Sequence, residues 1–102
     1  MSELVFLFSA DADIQAAYGF YEAVQSGRGE VFIRHLDVAF GQLRTFPEIA
    51  PVFHESYRRL LVHGFPYGIF YSLEGGRIII SGVIDLRQDP DAIRRRLRGR
   101  NA

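Results

Sequence analysis

The sequence predicts an α+β fold built on a single sheet, and three observations predict it. A short, wholly apolar run opens the chain at Leu4–Phe8, two stretches of helical period follow, and the strand-like segments cluster in the second half. Strands that follow a pair of helices are typical of α+β domains with a largely antiparallel sheet. We therefore expect an N-terminal strand, a two-helix hairpin, a three-stranded antiparallel meander joining the same sheet and a short C-terminal helix, all in one domain over residues 1–102.

The first strand and the first helix are expected to follow each other directly. Leu4–Phe8 contains no polar residue, which favours a strand buried on both faces. Ser9 is placed to cap the helix, and Asp11 and Asp13 fall in its first turn, where the helix dipole favours acids. The apolar stripe of this helix consists of Ile14, Ala17, Tyr18 and Tyr21.

A glycine-containing turn, Ser26–Gly29, leads into the second helix, which Pro47 ends. Helices joined so closely form an antiparallel hairpin, and their apolar stripes would lie on the sheet. The stripe of the second helix consists of Phe32, Leu36, Ala39 and Leu43. The segment Glu48–Ser56, which contains Pro51, is expected to be a loop.

Three strands should make up the meander, at Tyr57–His63, Tyr67–Leu73 and Arg77–Ile84. Gly64-Phe65-Pro66 separates the first two. Gly75-Gly76 separates the last two and fits the central positions of a primed hairpin turn, where positive φ is required.

The C-terminal helix is predicted from Asp89-Pro90, because aspartate is a good N-cap and proline suits the first helical position. Ile93 and Leu97 would face inward. The arginines of the Arg94–Arg100 run would then form a solvated, fraying tail, or contact an acidic partner or DNA.

Composition narrows the function classes. The chain has no cysteine, and its three histidines show no metal-ligand spacing, so we expect neither a metal nor another cofactor. No apolar run approaches the roughly 20 residues of a membrane span, and no signal-peptide pattern opens the chain, so a cytoplasmic protein is expected.

The charge is unevenly distributed along the chain. Residues 1–57 carry three arginines against eight acids, whereas residues 58–102 carry nine arginines against four acids. This asymmetry indicates either one acidic and one basic face, or ordinary solvated surfaces.

The chain resembles the RelE/ParE superfamily of type II toxin–antitoxin toxins over nearly its whole length, and it is most similar to the ParE, or plasmid stabilisation, branch. The segments that carry this resemblance are Ala12-Asp13-Ile14 with Ala17 and Tyr21, Phe32 with Leu36, Pro47 with Pro51, Arg58-Arg59-Leu60-Leu61, Phe65-Pro66-Tyr67 with Ile69 and Tyr71, and Arg87 with Asp89-Pro90. The resemblance implies a small toxin that a cognate antitoxin neutralises. ParE-type members act on DNA gyrase, and RelE-type members cut messenger RNA in the ribosomal A site.

The sequence departs from the RelE-type pattern. It has no lysine, no tyrosine or histidine lies beyond Tyr71, and Gly68 stands where those nucleases carry an arginine in the central strand. Only Arg87 remains near its expected place. A neutral chain also suits ribosomal RNA poorly, because phosphate neutralisation supplies much of the affinity for nucleic acid. We therefore favour gyrase inhibition without catalytic residues over RNA cleavage, in which Arg58 or Arg59 and Arg87 would contact phosphate.

The sequence also departs from the ParE-type pattern, since Asp85 replaces a histidine at the end of the last strand and Gln88 replaces an arginine. A degenerate member that only binds its antitoxin is therefore a third alternative. An apolar groove beside the helical hairpin would accept an amphipathic helix of an acidic antitoxin, and the same exposed surface would favour a homodimer when the chain is alone. The candidate residues for contact with the target or the antitoxin are Arg58, Arg59, Tyr67, Tyr71, Arg87, Arg94 and Arg95.

Overall fold

A computed structural model describes residues 2–100 and contains one sheet, a helical hairpin and a C-terminal helix. The α+β fold predicted from the sequence is confirmed. The elements, in chain order, are β1 (Glu3–Phe6), α1 (Phe8–Val24), α2 (Arg28–Thr45), β2 (Val52–His54), β3 (Tyr57–Leu61), β4 (Tyr67–Glu74), β5 (Arg77–Asp85) and α3 (Pro90–Leu97).

The sheet has the strand order β1-β5-β4-β3-β2, with β1 parallel to β5 and the other neighbours antiparallel. The predicted meander corresponds to β3, β4 and β5. The short strand β2 lies in the segment Glu48–Ser56, which the sequence analysis assigned to a loop. Gly75 and Gly76 have φ angles of 57° and 78°, as a primed turn between β4 and β5 requires.

The helix α1 begins two residues earlier than the sequence predicted. Phe8 is its first residue and is 87% exposed, so the apolar run does not continue as a strand. Ser9 is not the N-cap, because Leu7 holds that position without a side-chain cap. The Ser9 hydroxyl instead donates a hydrogen bond to the Ser81 carbonyl at 2.8 Å.

Beyond Phe6, where β1 ends, side chains of α1 continue the hydrogen bonding along the edge of β5. Besides the Ser9 contact, the backbone N–H of Val83 donates to the Asp13 carboxylate at 3.1 Å. An edge strand leaves backbone groups unpaired, and these side chains satisfy two of them. The start of α1 is thereby fixed against the second half of β5.

The main core lies between the helical hairpin and one face of the sheet. All four predicted stripe residues of α2 are buried, and from α1 Ala17 and Tyr21 are buried while Ile14 is half-buried. Rings from both helices meet Tyr67 of β4 and Phe65 of the turn before it: Phe32 of α2 lies 5.1 Å from Phe65 and 5.3 Å from Tyr67, and Tyr21 of α1 lies 6.1 Å from Tyr67, between ring centroids. These edge-to-face contacts fix the hairpin on the sheet.

A smaller core lies on the opposite face, beneath α3. Its buried members are Tyr57, Phe70, Ile84, Ile93 and Leu97. Asp89 caps α3 and Pro90 opens it, as the sequence predicted, with the Asp89 carboxylate accepting from the N–H of Asp91. The Tyr57 hydroxyl donates to the Leu97 carbonyl at 3.1 Å, which fixes the end of the helix to β3.

Candidate binding surfaces

The seven residues proposed from the sequence fall into three separate groups in the structure. Arg58 and Tyr71 lie under the loop before β2, Tyr67 and Arg87 lie at one end of the sheet, and Arg59 and Arg94 lie on the α3 face. Arg95 is exposed on α3. The alternation of β3 separates Arg58 from Arg59, as expected for adjacent residues of a strand.

Arg58 and Tyr71 hold the loop that connects α2 to β2. The Arg58 guanidinium donates to the Ala50 carbonyl at 2.8 Å, and the Tyr71 hydroxyl donates to the Pro47 carbonyl at 2.8 Å. Tyr71 has no exposed surface, so a partner has no access to it in this conformation. The geometry gives both residues a role in the fold.

The end of the sheet carries a carboxylate that is tightly paired with an arginine. The Asp85 carboxylate accepts from Arg87 Nη2 at 2.7 Å, from its Nε at 3.1 Å and from its backbone N–H at 2.9 Å. The side-chain hydrogen bonds between the two groups are the main reason that the pKa of Asp85 is lowered and the pKa of Arg87 is raised. Both groups are thus held in their charged forms.

Two tyrosines beside this pair are held in their neutral forms. Burial is the main cause that raises the pKa of Tyr21 and of Tyr67. Tyr67 and Asp85 line a shallow cavity of about 260 Å³, to which Arg96 and Gln88 contribute from the other side. The cavity therefore presents the Asp85 carboxylate, the Arg96 guanidinium and the Tyr67 side chain, which can offer charge and hydrogen bonds.

The α3 face carries two arginines on one aromatic ring. The guanidinium carbons of Arg59 and Arg94 lie 4.9 Å and 5.3 Å from the centroid of the Phe53 ring. Phe53 in turn packs edge-on against Phe70 at 5.3 Å. The sequence analysis missed Phe53 because it treated this segment as a loop; the apolar run Val52-Phe53 beside Pro51 is the signal that was available.

The structure also shows what surrounds Gly68, the position where RelE-type nucleases carry an arginine. A Cβ atom there would lie 3.1 Å from Cγ of Arg59 and 3.1 Å from Cδ2 of Leu86. The side chain of Arg59 therefore passes close over the surface that Gly68 leaves open. An added side chain would require these neighbours to shift.

Arg100 does not belong to a solvated tail, which corrects the expectation for the end of the chain. Its guanidinium donates to the Asp13 carboxylate at 2.7 Å, and the two side chains are only 18% and 11% exposed. Asp13 was expected to act on the helix dipole in the first turn of α1. Instead it joins α1 to the segment after α3, across the edge of β5.

An apolar groove lies beside the helical hairpin, as the sequence predicted. It has a volume of about 420 Å³ and combines residues of β1 and both helices. Phe6 of β1 packs edge-on against Phe40 at 5.0 Å and forms one wall. The lining residues are Phe6, Ile14, Ile33, Leu36, Asp37, Phe40 and Arg44.

Neither a metal centre nor a membrane-spanning helix was found within residues 2–100. No group of three or more histidine, aspartate or glutamate side chains there is arranged to hold a metal ion. No helix in the same range combines the length and apolar character needed to cross a bilayer.

Comparisons with known proteins identify the family. The chain shares its fold with a solved structure described as the chromosomal ParDE TA system from P. aeruginosa: the TM-score is 0.75 at 19% sequence identity, over 84% of this chain and 97% of that one. Among curated proteins, none matches the chain significantly. The family model for the ParE toxin of the type II toxin–antitoxin system parDE matches residues 4–90. The chain therefore belongs to the ParE family of type II toxins.

Proposed function

We propose that this chain inhibits DNA gyrase when it is free and that a cognate antitoxin neutralises it. The observation that carries the choice of target is the pairing at the end of the sheet, where the Asp85 carboxylate holds the Arg87 guanidinium at 2.7 Å and so occupies the one arginine near its RelE-type place. Asp85 is held ionised by Arg87, and burial keeps Tyr21 and Tyr67 protonated. Such a cluster binds a partner through charge and hydrogen bonds.

A ribonuclease that cuts messenger RNA needs more than this cluster offers. One group must remove a proton from the 2′-hydroxyl and another must protonate the leaving oxygen, with pKa values near the working pH. At the end of the sheet the Asp85 carboxylate is engaged by three hydrogen bonds from Arg87, so neither group is free for this work. Gly68 also leaves the central strand without the expected cation.

The target is tested with purified gyrase and relaxed plasmid. We expect the free chain to block supercoiling or to trap cleaved DNA, and the antitoxin to reverse the effect. Unchanged supercoiling and cleavage at high molar excess would overturn the proposal. Primer extension on translated messages, run in parallel, would then detect the A-site cuts of a ribonuclease, and growth without arrest on induction would identify a degenerate member.

We place the antitoxin helix in the groove beside the hairpin. A groove walled by Phe6 and Phe40, with Asp37 and Arg44 on its rim, suits an amphipathic helix whose apolar face is buried. The exposed outer edge of β1, which pairs only with β5 among the described residues, lies beside it and can accept an extended segment.

The proposed binding site of the antitoxin is tested with two matched variants. Phe6 and Leu73 are 37% and 38% exposed, both in strands, but only Phe6 lines the groove. We expect Phe6→Ala to weaken antitoxin binding about tenfold or more, which corresponds to about 1.4 kcal/mol, and Leu73→Ala to leave it unchanged. Equal effects in a calorimetric titration would place the antitoxin elsewhere.

The same groove is open when the antitoxin is absent, so we also propose weak self-association of the free chain. Sedimentation of the free chain over a range of concentrations would show a dimer that Phe6→Ala reduces. A strictly monomeric free chain would contradict this proposal without affecting the other two.

A further inference from the structure

The α3 face carries guanidinium groups that nothing in the described chain neutralises. Arg59 and Arg98 have no acidic side chain within ion-pair distance among residues 2–100, whereas Arg94 pairs with Asp91 at 2.8 Å. Arg95 is exposed and likewise unpaired over the same residues. We name the group Arg59, Arg94, Arg95 and Arg98 the arginine ridge.

Local contacts hold part of the ridge in place. Arg59 and Arg94 rest on the same Phe53 ring, so two cations are held close together on a half-buried aromatic group. The ring quadrupole attracts each of them, by roughly 0.5–1 kcal/mol at exposed sites, but it does not remove their mutual repulsion. Asp91 supplies a single negative charge. An anion bound between the arginines would relieve the remaining repulsion.

Helix geometry extends the ridge along one side of α3. Ile93 and Leu97 are buried beneath the helix, so Arg94, one position further along, lies on its flank, and the exposed Arg98 follows directly after the helix as its C-cap. Arg95 is exposed on the outward side of the helix, opposite the buried positions. On the opposite flank, Arg96 lines the cavity at the end of the sheet, so it does not belong to the ridge.

We propose that the arginine ridge binds the phosphodiester backbone of duplex DNA, independently of base sequence. The planar fork of arginine matches the oxygens of a phosphate, and a row of such groups neutralises successive phosphates. The one aromatic ring within the ridge is covered by two guanidiniums, so it offers no platform for the stacked bases of a single strand and no apolar anchor for a peptide. What the ridge presents to a partner is charge.

The proposal is tested with the purified full chain and a fluorescently labelled duplex of mixed sequence, by anisotropy. If three ridge arginines each meet a phosphate, the logarithm of the affinity falls with the logarithm of the salt concentration with a slope of about −2.7. The affinity would then drop about 40-fold between about 50 and 200 mM salt. An affinity that is independent of salt would overturn the proposal.

Variants locate the contact. Arg98→Gln removes a charge whose side chain makes no contact that the fold needs, and Arg59→Gln removes one held on Phe53; each should reduce the steepness of the salt dependence by about one unit. Arg34→Gln is the matched control, since Arg34 is exposed on α2, on the other side of the sheet. A loss of affinity in Arg34→Gln equal to that in Arg98→Gln would show non-specific attraction and overturn the assignment.

Two competitors separate duplex DNA from other polyanions. We expect unlabelled duplex to displace the probe at lower phosphate concentration than single-stranded DNA, and polyglutamate to compete only weakly. If polyglutamate of equal charge competes as well as duplex, and Arg98→Gln abolishes both, the ridge is a surface for acidic polypeptides and the DNA proposal fails. Gyrase is absent from these assays, so their outcome is independent of the supercoiling test.

Discussion

The two faces of the sheet are covered by different chemistry. The hairpin face is covered by two long helices over a large apolar cluster, with Phe32 and Leu43 fully buried at its centre. The α3 face is covered by one short helix, which buries Ile93 and Leu97 against three residues of the sheet, and two arginines lie over the neighbouring Phe53 ring. The first face therefore offers a mainly apolar groove, whereas the second presents mainly positive charge.

The largest expected difference between the faces is in their contributions to stability. Phe32→Ala removes a fully buried ring that touches Tyr21, Phe65 and Tyr67, and should lower the free energy of unfolding by about 3–5 kcal/mol. Leu97→Ala acts at the last turn of α3, which can detach locally, so we expect a loss of at most about 2 kcal/mol. Urea denaturation measures both values.

Hydrogen exchange extends the same comparison. Leu97→Ala should release the amides of α3 while those of α2 remain protected, because local opening does not require the main core to unfold. If both variants accelerate exchange uniformly through the chain, the two faces form one cooperative unit and the distinction between them disappears.

The second prediction concerns the ion pair between the start of α1 and the segment after α3. Asp13→Ala leaves the Arg100 guanidinium without its partner and the Val83 N–H without an acceptor. Breaking a buried pair destabilises by about 3–5 kcal/mol, and the slight exposure of this one reduces our expectation to about 2–3 kcal/mol.

The matched control is Asp11→Ala, an exposed acid in the same turn of the helix that should change stability by less than about 0.5 kcal/mol. Thermal and urea denaturation of the two variants give the comparison. Equal effects would mean that the pair contributes nothing beyond the general charge of the helix.

The sequence predicted those parts of the fold that local chemistry specifies. The apolar stripe of α2, the turn at Gly75-Gly76 and the start of α3 at Asp89-Pro90 each depend on a few neighbouring residues. Short-range rules are sufficient for such features. They also place the boundary of α1 within one turn.

The strand β2 and the contacts of Arg100 depend on information that short windows lack. The turn between β2 and β3 places Glu55 at a φ of 52°, where glycine or asparagine would have been the signal of a hairpin. Arg100 and its partner Asp13 are 87 residues apart in the chain. Their pairing exists only because the edge of β5 lies between α1 and the end of α3.

The third prediction separates a structural tyrosine from a binding one. Tyr71→Phe removes the hydrogen bond to the Pro47 carbonyl and should lower stability by about 1 kcal/mol. Because Tyr71 is fully buried, antitoxin binding should not change. Tyr18→Phe is the control: its hydroxyl lies 3.3 Å from the Glu30 carboxylate at an exposed site, so a smaller loss is expected. A tenfold weaker antitoxin complex for Tyr71→Phe, with unchanged stability, would give the hydroxyl a binding role.

The smallest expected effect is at Asp85, where the end of the sheet meets solvent. Asp85→Asn keeps an oxygen that can accept from the backbone N–H of Arg87 but removes the charge. We expect a loss of about 0.5 kcal/mol at pH 7, because the Arg87 side chain is 63% exposed and solvent screens the pair.

The direction in which this stabilisation changes with pH follows from the lowered pKa of Asp85 in the folded chain. The stabilisation is complete above the ordinary aspartate pKa of about 3.9 and disappears as the pH falls through the folded value. Urea denaturation at pH 7 and in more acidic solution should therefore show that the free energies of unfolding of the unsubstituted chain and of Asp85→Asn become equal at low pH. A difference that persists there would mean that Asp85 acts through its shape and its hydrogen bond to the backbone N–H of Arg87, and not through its charge.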